Sequence, residues 1–158
     1  DEALAAISRR VGKRKNLGEV SPQELEASWE HIPEIPRMRA RHVVDENLRV
    51  REAAACLENG DQERLGALLN LSHASLRDLY QVSSPELDAL QEISLRQPGV
   101  WGCRMTGAGF GGCVIALVER DAVPAYLETV PERYRRATGR EPFFLFQEKP
   151  AVGARRIS

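Results

Sequence analysis

The sequence predicts an α+β domain in which an antiparallel sheet carries helices packed largely on one face. Three observations support this class. Apolar residues recur at helical spacing through much of the first 97 residues. Two apolar runs that flank a glycine-rich turn, at residues 100–118, are typical of a β-hairpin. A further helix, at residues 121–138, separates this hairpin from strand-like segments at residues 143–147 and 152–157.

The length of 158 residues fits one domain, residues 1–158, with a core of ordinary size. Within it we expect a helical lead-in (1–36), then helices (37–97), then the glycine hairpin, a helix and strands (98–158). Lys and Arg number 22 against 23 Asp and Glu, a net charge of -1, which argues against nucleic acid or an anionic membrane as the main partner. No apolar run approaches the roughly 20 residues of a membrane helix.

The cysteines and histidines predict no disulfide framework and no metal site. Cys56, Cys103 and Cys113 form no C-x-x-C pair, and we interpret them as three buried thiols of a cytoplasmic protein. The histidines, His31, His42 and His73, are too scattered in the sequence for a zinc site.

The lead-in begins with helical spacing over residues 1–15, with Asp1 as the first residue and no cap upstream, so we expect a chain cut from a longer one. Ser21, Pro22 and Glu24 form the pattern of a capping box, which predicts a short helix to about Trp29. Pro33 and Pro36 are then expected to hold the chain extended.

Two long helices are predicted next. The first spans residues 37–59 and ends at Gly60, and Asp61 caps the second, so the pair forms an antiparallel hairpin. The second carries an apolar stripe that runs to Tyr80 and includes Ser72. His73 lies beside this stripe. We interpret it as a hydrogen-bonded packing histidine, because the sequence identifies no nucleophile or carboxylate partner for a catalytic one.

Turn and cap residues divide the rest of the chain. Ser84 and Pro85 predict another helix start, and residues 97–99, Gln-Pro-Gly, end that helix. In the helix at residues 121–138, Pro124 lies near the start, and Pro131 predicts a kink.

The glycine-rich turn holds most of the functional information. Glycine adopts positive φ without steric cost and has no Cβ, so such a loop can turn its N–H groups toward an anion. The only charged residue between Gln97 and Val118 is the cation Arg104. A hairpin whose glycines serve only a bulge or tight packing is the alternative.

Common glycine motifs do not fit this turn. Residues 107–112 match G-x-G-x-x-G, but dinucleotide binding requires a helix after the glycines, and here a strand follows. The protein-kinase pattern fails because no V-A-I-K, H-R-D or D-F-G follows, and the Gly-Lys-Ser/Thr of a Walker loop is absent.

Two blocks together resemble a known family. Residues 104–113, RMTGAGFGGC, closely resemble the third, C-terminal motif of galactokinases, members of the galactokinase, homoserine, mevalonate and phosphomevalonate (GHMP) kinase superfamily. Residues 72–88, SHASLRDLYQVSSPELD, resemble the segment that precedes that motif, and the order agrees. The resemblance implies a substrate- or phosphate-proximal loop made of Arg104, Met105, Thr106, Gly107, Ala108, Gly109, Phe110, Gly111 and Gly112. Arg104 could instead belong to a surface ion pair.

The resemblance implies a ferredoxin-like C-terminal domain of an enzyme that phosphorylates galactose with ATP and Mg²⁺. The family's catalytic base, main nucleotide loop and G-E-H sugar motif have no match in residues 1–158. We therefore assign no catalytic residue, and expect the chain alone to be inactive and to bind no cofactor without the N-terminal half as its partner. A non-catalytic binding or regulatory domain, or another GHMP sugar kinase, remains the alternative.

Overall fold

Six α-helices and one two-stranded antiparallel sheet form the regular structure of residues 2–144, the part of the chain that the computed structural model describes. The helices are α1 (Glu2–Val11), α2 (Pro22–Ala27), α3 (Glu34–Asn59), α4 (Gln62–Ser75), α5 (Pro85–Leu95) and α6 (Val123–Thr138). The strands β1 (Val100–Thr106) and β2 (Cys113–Val118) lie between α5 and α6. The predicted α+β class with an antiparallel sheet is confirmed, and helix predominates.

The predicted helix ends follow from local backbone chemistry. Ser21 and Glu24 form a complete capping box at α2, in which each side chain accepts a hydrogen bond from the other residue's N–H. The Asp61 and Ser84 side chains accept from N–H groups in the first turns of α4 and α5. Gly60 ends α3 in the left-handed conformation with φ of 69°.

Two predicted boundaries were wrong. Pro36 does not extend the chain, because α3 begins at Glu34 with Pro33 as its N-cap. A proline is tolerated in a first helical turn, where the N–H has no intrahelical acceptor to lose. The stripe expected to continue α4 to Tyr80 instead becomes a π-helical turn, Leu76–Tyr80, which Gln81 ends with φ of 60°.

The predicted strand at residues 143–147 is not formed at its first two positions, since Phe143 and Phe144 belong to no strand. Its other residues, and the segment 152–157, lie outside the described residues. Cys56 and Cys103 are buried free thiols as predicted, but Cys113 is exposed because it begins β2 directly after exposed loop residues.

α4 and α5 both pack against β1, α3 packs on α4, and α6 packs on α5. The closest approach joins Gly66 of α4 to Gly102 of β1, where a Cβ added to Gly102 would lie 2.2 Å from the Gly66 carbonyl oxygen. One and two turns further along α4, two side chains bond the β1 main chain. The Asn70 Oδ1 accepts from the Cys103 N–H at 2.9 Å, and the His73 Nδ1 accepts from the Met105 N–H at 3.1 Å. One face of α4 therefore fixes β1 in place.

Two hydrophobic clusters lie in different parts of the described chain. The lead-in cluster joins α1, α2 and α3 and consists of Ala3, Ala6, Ile7, Val20, Leu25, Ile32, Ala40 and Val44. The loop cluster lies under the glycine turn and consists of Leu76, Leu87 and Met105, with Val82 and Val114 packed against it. Within residues 2–144, each helix is too short or too polar to cross a bilayer.

Candidate functional site

The glycine loop joins β1 to β2 between the paired residues Thr106 and Cys113. Gly107, Gly109, Gly111 and Gly112 all have positive φ, from 87° to 129°. Phe110 also has positive φ, 60°, and its side chain is 76% exposed. A non-glycine residue in this region is uncommon and is found where surrounding contacts hold it. The backbone at Phe110 therefore depends on contacts from outside the loop.

Val82 holds the centre of this loop. The Phe110 N–H donates to the Val82 carbonyl oxygen at 2.7 Å, and a Cβ added to Gly109 would lie 2.2 Å from the same oxygen. By contrast, a Cβ added to Gly107, Gly111 or Gly112 would meet nothing within 4 Å. Gly109 thus serves close packing, as the alternative interpretation of the hairpin expected, while the glycines around it border open space.

Arg104 lies at the base of the loop and points toward α3. Its Nε donates to the Met105 carbonyl oxygen at 2.8 Å, and its Nη1 lies 3.8 Å from the Glu46 Oε2. Ser72 donates to the same Glu46 oxygen at 2.7 Å, and Arg49 bonds the other oxygen. Burial would raise the pKa of Glu46, but the hydrogen bonds from Ser72 and Arg49 outweigh it and lower that pKa. Arg104 thus has an anionic partner within the protein, in a partly buried pair.

His73 is 1% exposed and has partners on both ring nitrogens. Its Nδ1 receives the Met105 N–H, and its Nε2 lies 3.2 Å from the Asp88 Oδ1, which also accepts from the Ser83 hydroxyl. Burial lowers the pKa of His73 from 6.5 despite the neighbouring carboxylate, so the ring is neutral at pH 7. Asp88 was not identified from the sequence as this carboxylate partner, although both residues belong to the block at 72–88.

The remaining residues of the predicted loop divide by exposure. The Met105 side chain is fully buried in the loop cluster, so only its main chain faces the loop. Thr106 and Ala108 are exposed. The pKa of the Cys103 thiol is raised to about 11 by burial, which leaves it protonated and a poor nucleophile at neutral pH. No group of three or more His, Cys, Asp or Glu side chains suited to a metal ion occurs among residues 2–144.

The loop can present main-chain N–H groups and open glycine backbone to an anionic group, next to the partly neutralised cation Arg104. Such an arrangement has groups suited to an anionic ligand. It does not itself supply a nucleophile with an adjacent base.

Comparisons with known proteins give a consistent result. The family model described as GHMP kinases C terminal matches residues 53–136. The chain is 46% identical over 140 residues to a galactokinase of Roseiflexus sp. (strain RS-1), a match that covers 89% of this chain and 36% of that protein. It is 46% identical over 141 residues to the galactokinase of Homo sapiens, covering 89% of this chain and 35% of that protein.

A solved structure agrees with these matches. The crystal structure of Lactococcus lactis galactokinase complexed with galactose is similar with a TM-score of 0.83 and 44% identity. The match covers 89% of this chain and 36% of that one. The chain thus spans about a third of the length of the relatives that it matches.

Proposed function

The chain belongs to the GHMP kinases through their C-terminal domain, and from this premise we propose that it forms the C-terminal part of a galactokinase. The whole enzyme would transfer the γ-phosphoryl group of ATP to the anomeric hydroxyl of galactose. The observation that carries the proposal is the 46% identity to named galactokinases over 89% of the chain, which includes the whole glycine loop. A cytoplasmic location stays a prediction.

In this proposal the glycine loop, residues 107–112, closes over the phosphates and sugar. Phosphoryl transfer depends on positioning the two reactants and on neutralising the charge that develops on the transferred group. An added Cβ at Gly107, Gly111 or Gly112 would meet no atom within 4 Å, so a ligand can approach the loop backbone from that side. Arg104 would add positive charge at the base of the loop.

The catalytic base and the main nucleotide loop would come from the N-terminal part. Mg²⁺ in galactokinases accompanies ATP and neutralises phosphate charge. Residues 2–144 contain no cluster of carboxylates and histidines suited to it, so we assign it no ligand in this part of the chain. The chain's own contribution is to bind, orient and enclose.

A joined enzyme tests this proposal. Residues 1–158 are fused to the N-terminal part of the Lactococcus lactis relative in place of its own C-terminal part. ATP consumption is then measured with galactose for the joined enzyme and for residues 1–158 alone. We expect galactose-dependent turnover from the joined enzyme and none from the chain alone, because the chain lacks the groups for base catalysis.

The control is the Lactococcus lactis enzyme cut and rejoined to its own C-terminal part at the same position. If that control is active and the joined enzyme is not, the proposal is wrong. Turnover with another sugar but not with galactose would indicate another GHMP sugar kinase.

A further inference from the structure

Two contacts hold the glycine loop and the end of β1, one to the segment between α4 and α5 and one to α4 itself. The first is the hydrogen bond from the Phe110 N–H to the Val82 carbonyl oxygen, in the middle of the loop. The second lies at the base, where the Met105 N–H donates to His73, and His73 contacts Asp88 of α5. The buried ring thus lies between the end of β1 and the first turn of α5.

The partners of His73 fix its tautomer. A main-chain N–H can only donate, so the Nδ1 that faces the Met105 N–H must be unprotonated. A neutral imidazole then carries its proton on Nε2, which points at the Asp88 carboxylate. Asp88 also accepts from Ser83, which lies one residue after Val82. Val82 and Ser83, which are neighbours between α4 and α5, therefore hold the loop directly and the His73–Asp88 contact indirectly.

We propose that His73 is a positioning residue for phosphoryl transfer, which sets the path of β1 into the glycine loop by accepting the Met105 N–H while Asp88 holds the ring. This inference rests on the proposed function, since it assigns a role within the same site. The loop backbone must lie within hydrogen-bond distance of its ligand. The loop begins at Gly107, two residues after Met105, so a displacement of Met105 also displaces the first loop residues. His73 acts through Met105 and touches no reacting group.

A second buried histidine provides the matched comparison. His42 of α3 bonds the Ser75 hydroxyl through Nδ1 at 2.9 Å and stacks on Tyr80, with ring centroids 4.5 Å apart. It is 7% exposed, and burial lowers its pKa as it does for His73. The hydrogen bond and the ring contact of His42 go to Ser75 and Tyr80 rather than to residues 106–113, so its replacement reports what the loss of a buried, bonded histidine outside the loop costs.

Two amide variants separate the functions of the two ring nitrogens. In His73→Asn the amide oxygen can take the place of Nδ1 and accept from Met105, but the contact with Asp88 is lost. In His73→Gln the longer amide can reach Asp88 in place of Nε2, but Met105 loses its acceptor. In the joined enzyme we expect His73→Asn to keep kcat/KM within about threefold and His73→Gln to lose at least about tenfold. His42→Gln should lower the melting temperature and leave kcat/KM unchanged.

A measurement independent of turnover accompanies the kinetics. Hydrogen exchange of the peptide that covers residues 100–106 should be accelerated at Met105 by His73→Gln and much less by His73→Asn, since the first variant alone removes the acceptor. In the unsubstituted protein, nitrogen NMR should show His73 with an unprotonated Nδ1 and a protonated Nε2 at pH 7.5.

The outcomes are distinct. Equal losses of kcat/KM in both His73 variants, or in His42→Gln as well, would show a packing role only and overturn the proposal. A protonated Nδ1 would overturn it even if His73→Gln failed to fold. If the joined enzyme had no activity while its rejoined control did, the proposed function would fail. Hydrogen exchange at Met105 would then report only on the hydrogen bond between Met105 and His73.

Discussion

The lead-in cluster and the loop cluster stabilise two parts of the same chain by different means. Eight buried apolar residues fill the lead-in cluster, whereas three form the loop cluster. Around the loop cluster, Asn70 and His73 accept hydrogen bonds from main-chain N–H groups of β1, and Ser83 donates to the Asp88 carboxylate. Apolar burial is non-directional and stabilises a fold without setting any one atom's position, while a hydrogen bond fixes direction and distance. Side-chain hydrogen bonds in the lead-in join near neighbours such as Ser21 and Glu24, whereas those at the loop fix the β1 main chain against α4.

Paired leucine truncations test this contrast, and of the three predictions they have the largest expected effect. Leu25 is fully buried in the lead-in cluster, and Leu87 is 3% exposed in the loop cluster. Each change to alanine should cost about 2–5 kcal/mol of unfolding free energy, measured by urea denaturation. We expect only Leu87→Ala to lower kcat/KM of the joined enzyme, because Leu87 packs with Met105 beneath the loop. Equal kinetic effects from both variants would erase the distinction between the clusters.

Substitution of Gly109 sharpens the comparison within the loop. Gly109→Val places a Cβ 2.2 Å from the Val82 carbonyl oxygen and imposes positive φ on a β-branched residue. Such backbone strain costs on the order of 1–3 kcal/mol, and the clash adds to it. We expect a lower melting temperature together with a loss of at least about tenfold in kcat/KM, which corresponds to ~1.4 kcal/mol.

Two matched variants separate the contributions of backbone strain and of the steric clash to the loss of kcat/KM. Gly107 has φ of 89° against 87° for Gly109 but has open space around an added Cβ, so Gly107→Val carries the strain without the clash. Gly60→Val introduces a positive-φ valine at the end of α3, far along the chain from the loop, and should affect stability alone. Lost stability with intact kinetics in Gly109→Val would leave the loop as a tightly packed hairpin.

The pH dependence of stability should come from the two buried histidines, neither of which belongs to the lead-in cluster, and it is the smallest of the three effects. Burial lowers the pKa values of both His42 and His73, so each takes up a proton more readily in the unfolded chain. Their contribution is complete above pH 6.5 and is lost as the pH falls from 6.5 through the folded-state pKa values. Each histidine can change the unfolding free energy by at most about 1.4 kcal/mol per pH unit.

Denaturation midpoints between pH 7.5 and 5 measure this slope. Replacing both histidines with asparagine should flatten it, whereas Leu25→Ala should lower the midpoint equally at every pH. Carboxylates whose pKa values are lowered, such as Glu46, keep their full contribution to stability above about pH 4.5 and lose it only below that pH, outside this range. A flat profile in the unsubstituted chain would show that neither histidine must lose its proton on folding.

Local signals in the sequence determined the secondary structure around the loop. Ser21, Asp61 and Ser84 were identified as caps and Gly60 as a helix end, because each acts on main-chain groups within three or four residues. The strands at either end of the glycine turn were predicted for the same reason. Pro36 was misjudged because a proline favours both an extended chain and a first helical turn, and local sequence alone does not separate these.

Only the tertiary structure decided which groups meet at the site. Glu46 reaches Arg104 across 58 positions of sequence, Val82 reaches Phe110 across 28, and Asp88 reaches His73 across a π-helical turn. The Gly66 and Gly102 backbones approach closely because α4 lies directly on β1. These contacts depend on how the helices pack against β1, which no short-range pattern encodes. The sequence alone therefore determined that a glycine loop exists and which family it resembles, and packing decided what holds that loop in place.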